Sequence, residues 1–119
     1  MADEALFIGF GEVVRGRERK AVEVFNESIQ YYGQLEQGGK IEGFDAWFLE
    51  PHGGDLSGFI LLRGERERLD EIRRSPEFER LETRAGMIVD RTGVVNAYTG
   101  EAIGRLMGQF EEAAGDLGG

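Results

Sequence analysis

Polar side chains set inside apolar runs mark where a chain can carry chemistry, because a buried polar group costs stability unless it is paired or used. In this sequence they are Asp45, Ser57, Arg63, Asp90, Arg91, Thr92, Asn96 and Tyr98. Side chains alternate along a strand, so Asp45 shares a face with Trp47. By the same rule Asp90, Thr92, Asn96 and Tyr98 share one face of a single strand. If both sets look into one cavity, Asp45, Trp47, Arg63, Asp90, Thr92, Asn96 and Tyr98 give it an aromatic wall and several hydrogen-bonding groups, the usual make-up of a small-molecule pocket. The competing reading is paired polar residues at a dimer interface or near strand ends. No residue is assigned a catalytic role.

Other chemistries find little support in the residue types. The chain has no cysteine, so disulfides, iron–sulfur clusters and zinc–thiolate sites are excluded, and its single histidine, His52, excludes a multi-histidine metal site. His52 lies in a Pro-His-Gly-Gly turn and reads as a solvated loop residue. Asp45, Glu50, Asp55 and Asp90 lack the ligand spacing of a calcium loop. Gly9-Phe10-Gly11 resembles the start of a dinucleotide fingerprint, but these glycines sit inside an apolar run and the third is missing. A bulge or a close backbone approach is the expected use of such glycines. No cofactor and no metal are expected.

The totals narrow the partners. The 119 residues carry a net charge of −9, and the basic residues are interleaved with glutamate, as in Glu65-Arg66-Glu67-Arg68. Phosphate-neutralising proteins cluster Lys and Arg, so neither nucleic acid nor an anionic membrane is expected as a partner. No apolar run approaches the ~20 residues of a membrane helix. The acidic start, Met-Ala-Asp-Glu-Ala-Leu, lacks the basic region of a signal peptide, and a cytoplasmic location is expected.

The elements that must position these residues centre on a hairpin. Ile41 to Glu50 and Leu56 to Arg63 are apolar runs flanking a turn with Pro51, Gly53, Gly54 and Asp55, which predicts a loop of four or five residues. Leu6 to Val14 precedes it as a first strand. Gly16 to Gln37 is a helix whose apolar stripe is Ala21, Val24, Phe25, Ser28, Ile29, Tyr32 and Leu35, ended by Gly38-Gly39. Gly64 to Ala85 reads as a helix in two pieces, restarted at Ser75-Pro76-Glu77-Phe78 with Ser75 as cap and closed by Gly86. Met87 to Tyr98 is a fourth strand. Thr99 caps a last helix from Gly100 to about Ala114, with Ile103, Leu106, Met107 and Phe110 inward and a Gly100-Gly104-Gly108 row laid closely against another element. Residues 115–119 read as a frayed tail.

The order β-α-β-β-α-β-α predicts an α+β, ferredoxin-like fold: one domain over residues 1–119, its core at 6–98, with a four-stranded antiparallel sheet carrying helices on one face. Such a sheet alternates apolar and polar when its second face meets water. This one does not. Phe7, Trp47, Leu49, Phe59 and Leu61 share the face away from the helices, a patch too large for an ordinary monomer. The last helix could cover part of it, and a second copy of the sheet the rest.

This layout resembles the dimeric α+β barrel superfamily, which includes antibiotic-biosynthesis-type monooxygenases. The resemblance spans Leu6 to Tyr98 and rests on the element order, on Gly58-Phe59 leading the third strand, and on Ser75-Pro76-Glu77-Phe78. It implies two sheets packed face to face. In the cofactor-free monooxygenases of that group a tryptophan works with asparagine, arginine or histidine around an aromatic substrate. Trp47, Arg63 and Asn96 have the right chemistry, while Leu61-Leu62-Arg63-Gly64 stands where that group more typically has a tryptophan.

The leading expectation is therefore a homodimer that binds a small apolar or aromatic molecule or has a regulatory role. The alternatives are a cofactor-independent monooxygenase or isomerase acting on an aromatic or polyketide-like compound, and a protein-interaction module.

Overall fold

The structure, a computed structural model, describes residues 2–118. Its elements are β1 (Glu4–Phe10), α1 (Glu18–Gln37), β2 (Gly43–Phe48), β3 (Gly58–Arg63), α2 (Arg66–Arg73), α3 (Pro76–Ile88), β4 (Gly93–Tyr98) and α4 (Glu101–Asp116). The strands form one sheet in the order β2-β3-β1-β4, every neighbouring pair antiparallel. That is the α+β, ferredoxin-like arrangement predicted from the element order. Among the described residues no helix is long and apolar enough to cross a membrane.

Register assigns the faces. Leu6 pairs with Leu62 and Asn96, and Ile8 with Ile60 and Val94. These residues point toward the helices. Leu6, Ile8, Ile60 and Leu62 are buried there with Tyr32 and Leu35 of α1, Leu69 and Ile72 of α2, and Phe78 of α3. Each such apolar side chain contributes roughly 1.5–3 kcal/mol relative to exposure.

The two-piece second helix is present. Ser75 is extended, the Phe78 backbone N–H donates to its Oγ at 3.3 Å, and Pro76 opens α3 where no N–H is needed. α1 ends as predicted, with Gly39 at φ 72° and the Lys40 N–H returning to the Leu35 carbonyl. Gly11, just past β1, marks a close approach. A Cβ on Gly11 would lie 2.8 Å from the Asp90 carbonyl oxygen, and the Gly11 N–H donates to that oxygen at 2.7 Å.

Several boundaries differ from the sequence reading. β1 stops at Phe10, and Val13 makes only an isolated bridge to Val89. α3 runs through Gly86 to Ile88, so β4 starts at Gly93, and Asp90, Arg91 and Thr92 lie in the turn between them. The loop from β2 to β3 spans residues 49–57 rather than four or five. The Leu49 N–H donates to the Ser57 carbonyl across its base, and Ser57 N–H to Phe10.

α4 departs most from expectation. Its N-cap is Gly100 at φ 56°, without a side-chain cap, one residue beyond the predicted Thr99, whose N–H donates to the Asp3 carbonyl at 2.8 Å. Only Ala102 is buried. Ile103, Met107 and Phe110, predicted inward, are exposed, Phe110 to 70%. Of the glycine row only Gly100 lies close to another segment, where a Cβ would meet the Asp3 carboxylate, while a Cβ on Gly104 or Gly108 would meet nothing within 4 Å. α4 continues to Asp116, past the start of the predicted tail, whose last residue (119) lies outside the described residues, as does residue 1.

Candidate functional site

The helix side of the sheet holds an apolar cleft of about 500 Å³ between α1, α3 and the ends of β1 and β2. Its construction follows from local sequence. On α1, Ala21, Val24, Phe25, Ser28 and Tyr32 recur at three- and four-residue steps, so one stripe faces the sheet. Across from it stand Ile8, Phe10, Phe48 and Ile60, and α3 adds Glu82 and Ala85. Three phenylalanines make the aromatic wall. The Phe10 and Phe48 rings meet edge-on at 6.0 Å, and Phe25 and Phe48 lie 5.1 Å apart. Gly58 makes room for this wall, since a Cβ there would strike the Phe10 ring.

The polar groups of the cleft are few. Tyr32 is buried, and burial, with a smaller contribution from the charge of Glu82, pushes its hydroxyl pKa well above the usual tyrosine value. The Ser28 hydroxyl donates to the Val24 carbonyl at 2.9 Å. Burial likewise raises the Glu82 carboxyl above the ordinary glutamate range, with Arg73 opposing it. Glu18, exposed at the start of α1, is shifted the other way. Its own backbone N–H and that of Gly16 stabilise its carboxylate and lower its pKa. The cleft thus pairs an ionised carboxylate with a second carboxyl whose charge depends on its surroundings.

Of the residues singled out in the sequence, Thr92 lines this cleft. The others are dispersed. Asp45 and Trp47 pair with Leu61 and Phe59 on the opposite face of the sheet, where Arg63 crosses Gly43 to bond Asp45 at 3.2 Å. Asn96 and Tyr98 face the helices, because they pair with Leu6 and Glu4. The two sets therefore do not look into one cavity. The Tyr98 hydroxyl accepts from Arg66 at 2.6 Å at the far end of the sheet, where Arg66 also binds Glu4. Asp90 and Arg91 are exposed, and Arg91 pairs with Asp55 at 3.2 Å. Ser57 holds the β2–β3 loop through its backbone. His52 is exposed, and its Nε2 bonds the Leu56 carbonyl at 2.8 Å while the Gly54 N–H approaches Nδ1 at 3.3 Å. Among the described residues no group of three or more His, Asp or Glu side chains could hold a metal ion.

Sequence reasoning missed Glu82. It sits four residues after Phe78 and three before Ala85, on the buried side of α3, and that spacing was its one visible signal. Ser28 and Tyr32 were placed on the apolar stripe correctly, but as core alone.

Among the described residues, no helix or strand covers the face of the sheet away from the helices. Trp47 is 56% exposed and Val95 55%, next to half-buried Phe7, Phe59 and Leu61, with the Phe7 and Phe59 rings stacked at 5.2 Å.

No protein-family model matches the chain, and no curated protein matches it. Solved structures do. A dimeric protein of unknown function and ferredoxin-like fold from Bacteroides fragilis aligns at a TM-score of 0.56 and 9% identity, covering 80% of this chain and 95% of its own. SnoaB, a cofactor-independent oxygenase from Streptomyces nogalater, aligns at 0.56 and 16% identity, covering 83% and 95%. A protein from Arabidopsis thaliana aligns at 0.57 and 10% identity, covering 81% and 95%. At these identities the likeness is one of architecture, and it makes this chain a ferredoxin-like α+β protein.

Proposed function

We propose that this chain is a small-molecule-binding protein that works as a homodimer, with its ligand in the α1–α3 cleft and its partner on the open sheet face. The cleft carries the reading. At about 500 Å³, walled by Phe10, Phe25 and Phe48 with few polar groups, it has the size and lining of a ligand site. The dimer is supported by the apolar open face, which α4 leaves uncovered, and by the dimeric state of the Bacteroides fragilis protein of like fold. A self-complementary apolar sheet face is suited to two-fold pairing.

The alternative of a cofactor-independent monooxygenase or isomerase draws on the fold shared with SnoaB. Trp47, Arg63 and Asn96, the residues it would use, do not line the cleft, so binding is the better-supported reading.

Two measurements test the two halves. Native mass spectrometry is expected to give twice the 13.3 kDa chain mass; a monomer at micromolar concentration would end the dimer half. The neutral probe N-phenyl-1-naphthylamine is expected to brighten on binding, and no saturable brightening would end the cleft half.

A further inference from the structure

We infer that the cleft selects an apolar amine: a ring-bearing molecule with one basic nitrogen, bound as its cation with Glu82 as counter-ion. This rests on the cleft being a ligand site, and the charge of its lining carries it further. The lining holds two carboxyl groups, Glu18 and Glu82, and no Lys, Arg or His. An anionic ligand would meet two carboxyl groups and no cationic side chain there.

Glu82 is half-buried and makes no ion pair among the described residues. The charged or titratable groups acting on it from neighbouring elements are Tyr32 of α1 and Arg73 of α2. Arg73 makes no ion pair with Glu82 and donates to the Val94 carbonyl at 2.8 Å. A carboxylate drawn out of water without a counter-ion is costly, and a ligand cation beside it offsets that cost. Burial raises the pKa of Glu82, as expected of a group whose counter-ion arrives with the ligand.

The walls suit the same ligand. The rings of Phe10, Phe25 and Phe48 accept an apolar body, and their faces attract a cation. Glu18 is held ionised at the exposed start of α1. The net charge of −9 draws cations toward the whole protein.

The test titrates the purified protein at pH 7 with three probes of one shape: 1-naphthylmethylamine, 1-naphthalenemethanol and 1-naphthoate. The amine is expected to bind about tenfold more tightly than the alcohol, a difference of ~1.4 kcal/mol, with the carboxylate weakest. Glu82→Gln is expected to bring the amine down to the affinity of the alcohol. Equal binding of amine and alcohol overturns the inference and leaves the cleft as a ligand site. An amine preference that survives Glu82→Gln also overturns it, because the general field of the protein would then be responsible. Failure of all three probes to bind removes the cleft reading itself.

Discussion

Phe10 lies across Gly58, so closely that a Cβ at residue 58 would come within 2.6 Å of Phe10 Cζ and equally close to the Trp47 carbonyl oxygen. The ring could turn aside, but the carbonyl belongs to the β2–β3 ladder and cannot. Gly58→Ala is expected to cost about 1–3 kcal/mol, as overpacking typically does, and to weaken neutral-probe binding as Phe10 moves. Thermal unfolding and a probe titration check both effects. An unchanged melting temperature would mean that the β2 backbone yields freely there.

Glu82 links stability to pH. Burial raises its folded-state pKa above the ordinary value of about 4.3, with Arg73 opposing. The native state then holds the proton more tightly than the unfolded chain does. The stability this contributes is fully present below the unfolded pKa and is lost as pH rises through the folded one. Glu82→Gln removes the dependence. The variant is expected to match the parent near pH 4 and to exceed it in stability at pH 7, as urea titrations at the two pH values would read. A variant less stable than the parent at pH 7 would mean that a cation already stabilises the carboxylate in the folded protein.

Trp47 probes the open face. It is 56% exposed in the single chain, so truncating it removes little from the protomer's own core. In the proposed dimer it lies within the interface, where a large aromatic is often worth ~2 kcal/mol. Trp47→Ala is expected to raise the dimer dissociation constant by roughly 30-fold, and Trp47→Phe far less, measured by sedimentation equilibrium. Unchanged dimerisation with weakened ligand binding would assign Trp47 to a binding site instead.

How much of this was legible beforehand depends on range. Elements answer to local rules. The stripe from Ala21 to Leu35 recurs at helical spacing, Ser75-Pro76 restarts a helix, and Gly38-Gly39 ends one, so the order of elements, and with it the ferredoxin-like fold, was readable from the sequence. The two-sided apolar character of the sheet was readable too, because alternation within a strand needs only that strand.

What only the tertiary structure decided is which residues meet. Alternation pairs Asp45 with Trp47, and Asn96 with Tyr98, but does not say whether the two strands turn those faces the same way. Register decides it: Asn96 sits opposite Leu6 on the helix side, and Trp47 opposite Phe59 on the other. The expected shared site therefore separates into two faces. Glu82 shows the same limit. A glutamate on the inner side of α3 reads as one more solvated charge until α1 and the sheet close around it, because desolvation belongs to the assembled cleft and not to the residue. α4 is the converse case. Its stripe of Ile103, Met107 and Phe110 predicts a packed helix, yet periodicity states only that a face is apolar, and a single folded chain leaves that face exposed.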